Sequence, residues 1–315
     1  MNLISKHPLQ RCWALLIIFC LLLFSGCNLK SSPNSANAPQ KDKKTIVTSF
    51  YPMYIMALNI TAGIPEIELV NLTGPQTGCL HDYQLTPNNV KTLQKADFFI
   101  VNGAGAESFL DKTIQQQPQL KIITASQGIQ LMESHEHEHE HGHGEEMGNP
   151  HVWVSIDGAI KEVNNIATQL ADLDPDRAAQ YRKNAAVYTA KLENLQQDMH
   201  RELDGIDNRN IVTFHEAFPY FAKEFNLNVV AVVQREPGSD PSPAELAETI
   251  QLVRKSQAKA LFTEPQYPTG AAQAIARDTG AKIYILDPAV NGPDDPDAYL
   301  QIMRKNLKTL TEALR

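Results

Sequence analysis

The sequence predicts an α/β protein of two lobes, each built on a parallel sheet, joined by a long α-helix. Three observations carry that expectation. Short apolar segments of strand length alternate with helical ones, the rhythm of parallel sheets covered on both faces. The rhythm occurs in two sets, one on each side of a stretch with an unbroken helical period. The chain's 315 residues exceed what one compact core usually organises, so two lobes of ordinary size fit the length.

In the first set, TIVTS (45–49), IELVNL (67–72), DFFIVN (97–102) and KIIT (121–124) read as buried strands, with helical patterns between them at 53–60, 86–96 and 106–116. The long stretch follows. Asp174 is placed to cap it and Pro175 suits the first helical position. Tyr181, Ala185, Tyr188, Leu192, Leu195, Met199 and Leu203 then recur at steps of three and four. One continuous amphipathic helix is expected there, ended by Gly205. The second set comprises NIVTF (210–214), NVVAVV (228–233), KALFT (259–263) and KIYIL (282–286). Sheets of this kind take ligands at the carboxyl ends of their strands, so the site is expected in the cleft between the lobes.

Ahead of the folded body, Lys6 and Arg11 precede an apolar run at 12–24 that is short for a bilayer span, the layout of a secretory signal. It ends in Phe24-Ser25-Gly26-Cys27, which resembles a bacterial lipobox with Phe24 where Leu is usual. Cys27 is then the lipidated residue, and the mature chain sits outside the cytoplasm on the bacterial cell membrane. Cys12 and Cys20 leave with the signal, so Cys79 is the remaining thiol and no internal disulfide is expected. Residues 28–44, rich in Ser, Asn, Pro, Gln and Lys, read as a flexible tether.

A hydrophobic fraction of 43% with 20% charged residues is that of a soluble globular body. The net charge of -8, without a basic patch, argues against a nucleic-acid partner.

Four residues stand where such lobes present ligands, past a strand or in a loop punctuated by Pro and Gly. They are His81 in GCLHDYQLTP, His151 in NPHVWVS, His215 in VTFHEAFPYF and Asp287 in LDPAVNG. Two come from each half, so they can converge across one cleft. On spacing alone, metal ligand and ordinary buried histidine stand as equal readings. His200, on the long helix, reads as a non-ligand. Cys79 precedes His81 by two positions and reads as a buried structural thiol rather than a soft auxiliary ligand. His135, His137, His139, His141 and His143 alternate with Glu and Gly in a tract that cannot build a core. It reads as a loop that collects metal weakly, against the alternative of a solvated spacer.

Enzyme motifs are incomplete. His215-Glu216 begins like a zinc-protease helix, yet Pro219 stands where HExxH needs its second histidine. Gly103-Ala104-Gly105 lacks the third glycine of a dinucleotide loop, and no GxxxxGK[ST] phosphate loop occurs. An exported zinc metallohydrolase is the alternative reading, since a three-histidine zinc can activate water. A surface adhesin with a structural metal is another.

In this order, HDYQLTP, NPHVW, FHEAFPYFAKEF, GSDPSPAEL, FTEPQY and LDP resemble the metal-binding lipoproteins of zinc and manganese ABC importers, from about Thr45 to the C-terminus. The resemblance implies two α/β lobes bridged by a rigid helix, with the metal between them on His81, His151, His215 and Asp287. It further implies a non-enzymatic, monomeric protein that delivers its ion to an ABC permease with a cytoplasmic ATPase. Gln84 and Leu85 depart from the family's usual Glu and Pro, which leaves the partner of His81 open, with Asp82 as an alternative orienting acceptor. Histidine at position 215 goes with zinc in the family, where a carboxylate goes with manganese. Imidazole suits Zn²⁺ and hard oxygen suits Mn²⁺, so Zn²⁺ is the expected ion, ahead of Mn²⁺ and Ni²⁺. The expected organisation is signal and anchor at 1–27, tether at 28–44, an N-terminal lobe at 45–155 containing the histidine tract at 135–143, a helical bridge at 156–206 and a C-terminal lobe at 207–315.

Overall fold

Among the residues that the computed structural model describes, 42–74, 80, 83–133, 148–233 and 241–315, eight short strands form two separate sheets. The first contains β1 (Lys44–Thr48), β2 (Ile67–Asn71), β3 (Phe98–Val101) and β4 (Lys121–Thr124), in the order β2-β1-β3-β4. The second contains β5 (Asn210–Thr213), β6 (Asn228–Val232), β7 (Ala260–Thr263) and β8 (Lys282–Ile285), in the matching order β6-β5-β7-β8. Every pairing is parallel. The inner strands β3 and β7 are buried at every position, which is why they read as apolar runs without alternation. In both sheets the chain leaves the first strand toward one edge and returns on its other side. The strand order therefore reverses between β1 and β3 and again between β5 and β7, the switch points at whose crevice open α/β sheets take ligands.

Helices α1 (Tyr51–Ile60), α2 (Pro87–Leu93) and α3 (Asp111–Gln115) belong to the first half. Thr86 caps α2 through a reciprocal box with Asn89, and Pro87 occupies its first turn, so the QLTP segment is a helix start. The single helix expected at 106–116 is instead a 3₁₀ turn at Ser108–Leu110 followed by α3. The second half carries α6 (Pro219–Glu224), α7 (Pro243–Ser256), α8 (Gly270–Thr279) and α9 (Ala298–Leu314).

Between the halves lie two helices, α4 (Ile156–Leu173) and α5 (Ala178–Leu203), packed on each other. The apolar set expected on the long helix is the set that α5 buries, from Tyr181 to Leu203. Its start differs from the expectation. Asp174 does not cap it; its carboxylate receives the buried Arg177 guanidinium at 3.1 Å and the Tyr181 hydroxyl at 2.8 Å. A buried guanidinium needs a paired anion more than a helix end needs a cap, so residues 174–177 form a turn and α5 begins after it. Helix α5 packs against α1 from the first half and α9 from the second. Side chains of β1, β3, β5, β7, α4 and α5 share one apolar cluster, so the core runs continuously through both halves. Among the described residues, no helix is long and apolar enough to cross a membrane.

Candidate metal centre

The NPHVWVS segment passes between the two halves as a tight turn. Asn149 is fully buried, and its side-chain oxygen accepts the His151 backbone N–H at 3.0 Å and lies 3.2 Å from His151 Nδ1. An oxygen already serving as acceptor requires Nδ1 to carry the proton, which directs the lone pair of Nε2 away from this turn. Asn149 also donates its side-chain amide to the Glu216 carbonyl at 2.8 Å, and its own carbonyl accepts the Tyr220 hydroxyl at 2.7 Å. The next residues form a 3₁₀ turn, Val152–Val154, whose Trp153 indole donates to the Pro288 carbonyl at 2.9 Å. Ser155 then caps α4 by accepting from Gly158 at 2.9 Å, while the Glu224 carboxylate accepts from Ile156 at 2.8 Å. These bonds tie the His151 turn to α6 and to the loop after β8.

His215 stands two residues past the end of β5, at the crevice of the second sheet. Its Nδ1 lies 3.2 Å from Glu264 Oε1, and Glu264 follows the last residue of the neighbouring strand, β7. Both side chains are buried, at 1% and 0% exposure. The rings of His151 and His215 meet edge to face with centroids 4.8 Å apart, so the structure brings these two expected ligands together. The second residue of HEAFP lies in the turn before α6 and Pro219 opens that helix, so the zinc-protease helix pattern has no helix to occupy.

Asp287 follows β8. Its backbone is held by Asn306 on both sides, at 3.0 and 2.7 Å, and its Oδ1 accepts from Ala289 at 2.9 Å. Burial raises its carboxyl above the usual range, the Glu264 charge raises it further, and the Ala289 N–H and Lys305 oppose this. Among the described residues, no three His, Cys, Asp or Glu side chains stand close enough together to hold a metal ion, so the structure does not bring Asp287 to the His151–His215 pair. His200 is half-buried on α5, with Nδ1 3.1 Å from Asp204 and its ring against Phe225. His81, Asp82, Cys79, Cys27 and the tract of His135, His137, His139, His141 and His143 lie outside the described residues.

The crevice of the first sheet has a matching carboxylate. Glu107 is buried and receives the Ser49 hydroxyl at 2.7 Å and the N–H groups of Asn102 and Gly103 at 2.8 and 3.0 Å. Burial nonetheless pushes its carboxyl up to about 7. Asn102 in turn donates to the Pro150 carbonyl at 3.0 Å, beside His151. The GAG segment therefore wraps a carboxylate. Gly103 has φ +82°, and a Cβ there would meet Thr124 at 2.5 Å, so only glycine fits.

Sequence reasoning assigned no role to Asn149, Glu264 or Glu107. The usable signal was position: Glu264 follows β7 as His215 follows β5, inside the FTEPQY motif.

A two-lobed parallel α/β chain whose histidines meet between the halves has the layout of a cleft-type solute-binding protein. The family model described as "Zinc-uptake complex component A periplasmic" matches residues 46–313, and the chain belongs to that family. It is 32% identical over 309 residues to the "High-affinity zinc uptake system protein ZnuA" of Bacillus subtilis (strain 168), covering 95% of this chain and 96% of the relative. It is 30% identical to the "Zinc-binding lipoprotein AdcA" of Streptococcus pneumoniae (strain ATCC BAA-255 / R6), covering 93% of this chain and 60% of that longer relative. Among solved structures, it matches the solute-binding protein FpvC of Pseudomonas aeruginosa, described with Ni²⁺ and with Mn²⁺. The TM-score is 0.76 at 28% identity, over 87% of this chain and 97–98% of the other. Membership in a family of uptake components sets the metallohydrolase reading aside.

Proposed function

We infer that this chain is the zinc-capturing component of an ABC importer, binding Zn²⁺ outside the cytoplasm and delivering it to a permease whose cytoplasmic ATPase supplies the energy. The observation that carries this reading is the buried His151–His215 pair, each ring held at Nδ1 so that Nε2 is the coordinating atom. His81 and Asp287 complete the donor set. Three imidazoles and a carboxylate make a tetrahedron suited to Zn²⁺, with Mn²⁺ and Ni²⁺ held less well. Residues 45–155 and 207–315 act as the two lobes and 156–206 as the bridge. The tract at 135–143 collects metal weakly beside the cleft, Cys27 carries the lipid anchor, and the protein acts as a monomer without catalysis.

Titration calorimetry on the mature chain without an affinity tag tests the ligand set. One tight zinc ion is expected in the native protein, and H81A, H151A, H215A and D287A should each weaken it. H151A and H215A should lose at least about 100-fold, the upper end of what outer-shell changes cost. Native-like affinity in either would remove that residue from the site.

A further inference from the structure

Glu264 belongs to no part of the ligand set, yet it is built into the crevice as firmly as His215. It is the first residue beyond β7, its side chain is wholly buried, and both of its oxygens are engaged. Oε1 faces His215 Nδ1 at 3.2 Å, and Oε2 accepts the Gln266 amide at 2.5 Å. The two histidines thus rest on chemically different supports. His151 faces a neutral carboxamide, and His215 faces a carboxylate.

The difference matters because imidazole has two interchangeable protonation sites. A carboxylate accepts and cannot donate, so a neutral His215 bonded to it must carry its proton on Nδ1 and present a lone pair on Nε2. A carboxylate also draws electron density toward the far nitrogen, which makes that nitrogen a stronger base toward a metal. In addition, a dication placed between buried imidazoles keeps its charge uncompensated unless anions stand nearby. Glu264 supplies one, 3.2 Å from His215 Nδ1.

We propose that Glu264 is a positioning residue for metal capture: it locks His215 into the Nδ1–H tautomer and makes it the stronger of the two imidazole donors. This rests on the reading of His215 as a ligand. The tautomer is a property of the metal-free protein and can be measured without any metal.

The experiment compares the mature native chain with E264Q, E264D and H215A. Long-range ¹⁵N–¹H correlation of the histidine rings reads the His215 tautomer in metal-free protein, at a temperature where each variant is folded. Competition against a zinc chelator reads affinity, with Zn²⁺ as the probe. Native protein and E264D should show the Nδ1–H form at His215. E264Q, whose amide can donate as well as accept, should shift it toward Nε2–H and lose roughly 10- to 100-fold in zinc affinity. E264D should recover part of that loss. An unchanged tautomer in E264Q, or native zinc affinity in E264Q while H215A loses it, overturns the positioning role. A loss in E264Q as large as in H215A, with the tautomer unchanged, overturns it in favour of direct coordination. Undiminished affinity in H215A overturns the ligand reading itself, and the role of Glu264 in capture with it.

Discussion

Asn149 donates its side-chain amide to the backbone carbonyl of Glu216 at 2.8 Å, which joins the turn carrying His151 to the turn carrying His215. The same side chain supports His151 at two points, the backbone N–H at 3.0 Å and the ring at 3.2 Å. One residue therefore sets the orientation of one histidine and its distance from the other. Replacing it by alanine removes the acceptor that faces the ring and the amide that donates to the Glu216 carbonyl. N149A should lose about 0.5–1.5 kcal/mol of stability for each lost bond and, with this acceptor gone from the ring, roughly 10- to 100-fold in zinc affinity. Urea denaturation and chelator competition measure the two effects, and an unchanged affinity would show that His151 is oriented by other contacts.

Gly158 is the third residue of α4, just beyond the His151 turn. Helix propensity alone favours alanine there by about 1 kcal/mol. A Cβ at this position would lie 2.1 Å from the Val152 carbonyl oxygen, an overlap the turn cannot absorb without shifting. Overpacking of this kind costs about 1–3 kcal/mol, so the steric effect prevails over propensity. G158A should melt several degrees below the native protein in a differential scanning experiment. A higher melting temperature would mean that propensity decides at this site.

Glu162, on α4, is fully buried, and neither of its carboxylate oxygens has a hydrogen-bond partner among the described residues. Burial raises it well above its ordinary value of 4.5, and the charge of Glu107 raises it further. The folded state therefore binds this proton more tightly than the unfolded chain does. Its contribution to stability is complete below about pH 4.5 and declines as pH rises toward the folded value. Glu107 acts in the same direction between 4.5 and about 7. E162Q stays neutral throughout, so it should be more stable than the native protein at pH 8 and no more stable at pH 4. Urea midpoints at the two pH values check this, and an advantage of equal size at both would show that the gain is not electrostatic.

Zinc that binds only the folded state should stabilise it by about 2.7 kcal/mol at a free concentration of a hundred times Kd. Manganese should raise the melting temperature less, because the donors are mainly imidazole. Removal of 136–143 should lower the number of zinc ions bound and leave this shift intact. The pairing of Asn149 N–H with the Met132 carbonyl at 2.7 Å lies outside the deleted stretch. A manganese shift as large as that of zinc, or loss of the zinc shift on deletion, would contradict the proposed donor set.

Much of the molecule was legible in the sequence. All eight strands lie within a residue of their expected bounds, and the apolar positions expected from Tyr181 to Leu203 are those that α5 buries. These features follow from local rules: a strand buried on both faces has to be apolar, and a helix buried on one face has to repeat at three and four. Loop position singled out His81, His151, His215 and Asp287, and of these the structure brings the rings of His151 and His215 together. Tertiary structure decided the remainder. The order β6-β5-β7-β8 places the ends of β5 and β7 side by side, and only that adjacency gives His215 the carboxylate of Glu264. The need of buried Arg177 for an anion moved Asp174 from a cap to an ion pair, and the crossing of the His151 turn between the halves set two rings 4.8 Å apart. Periodicity records which face of an element is buried. It carries no record of which distant element covers that face, because that choice belongs to packing across the whole core.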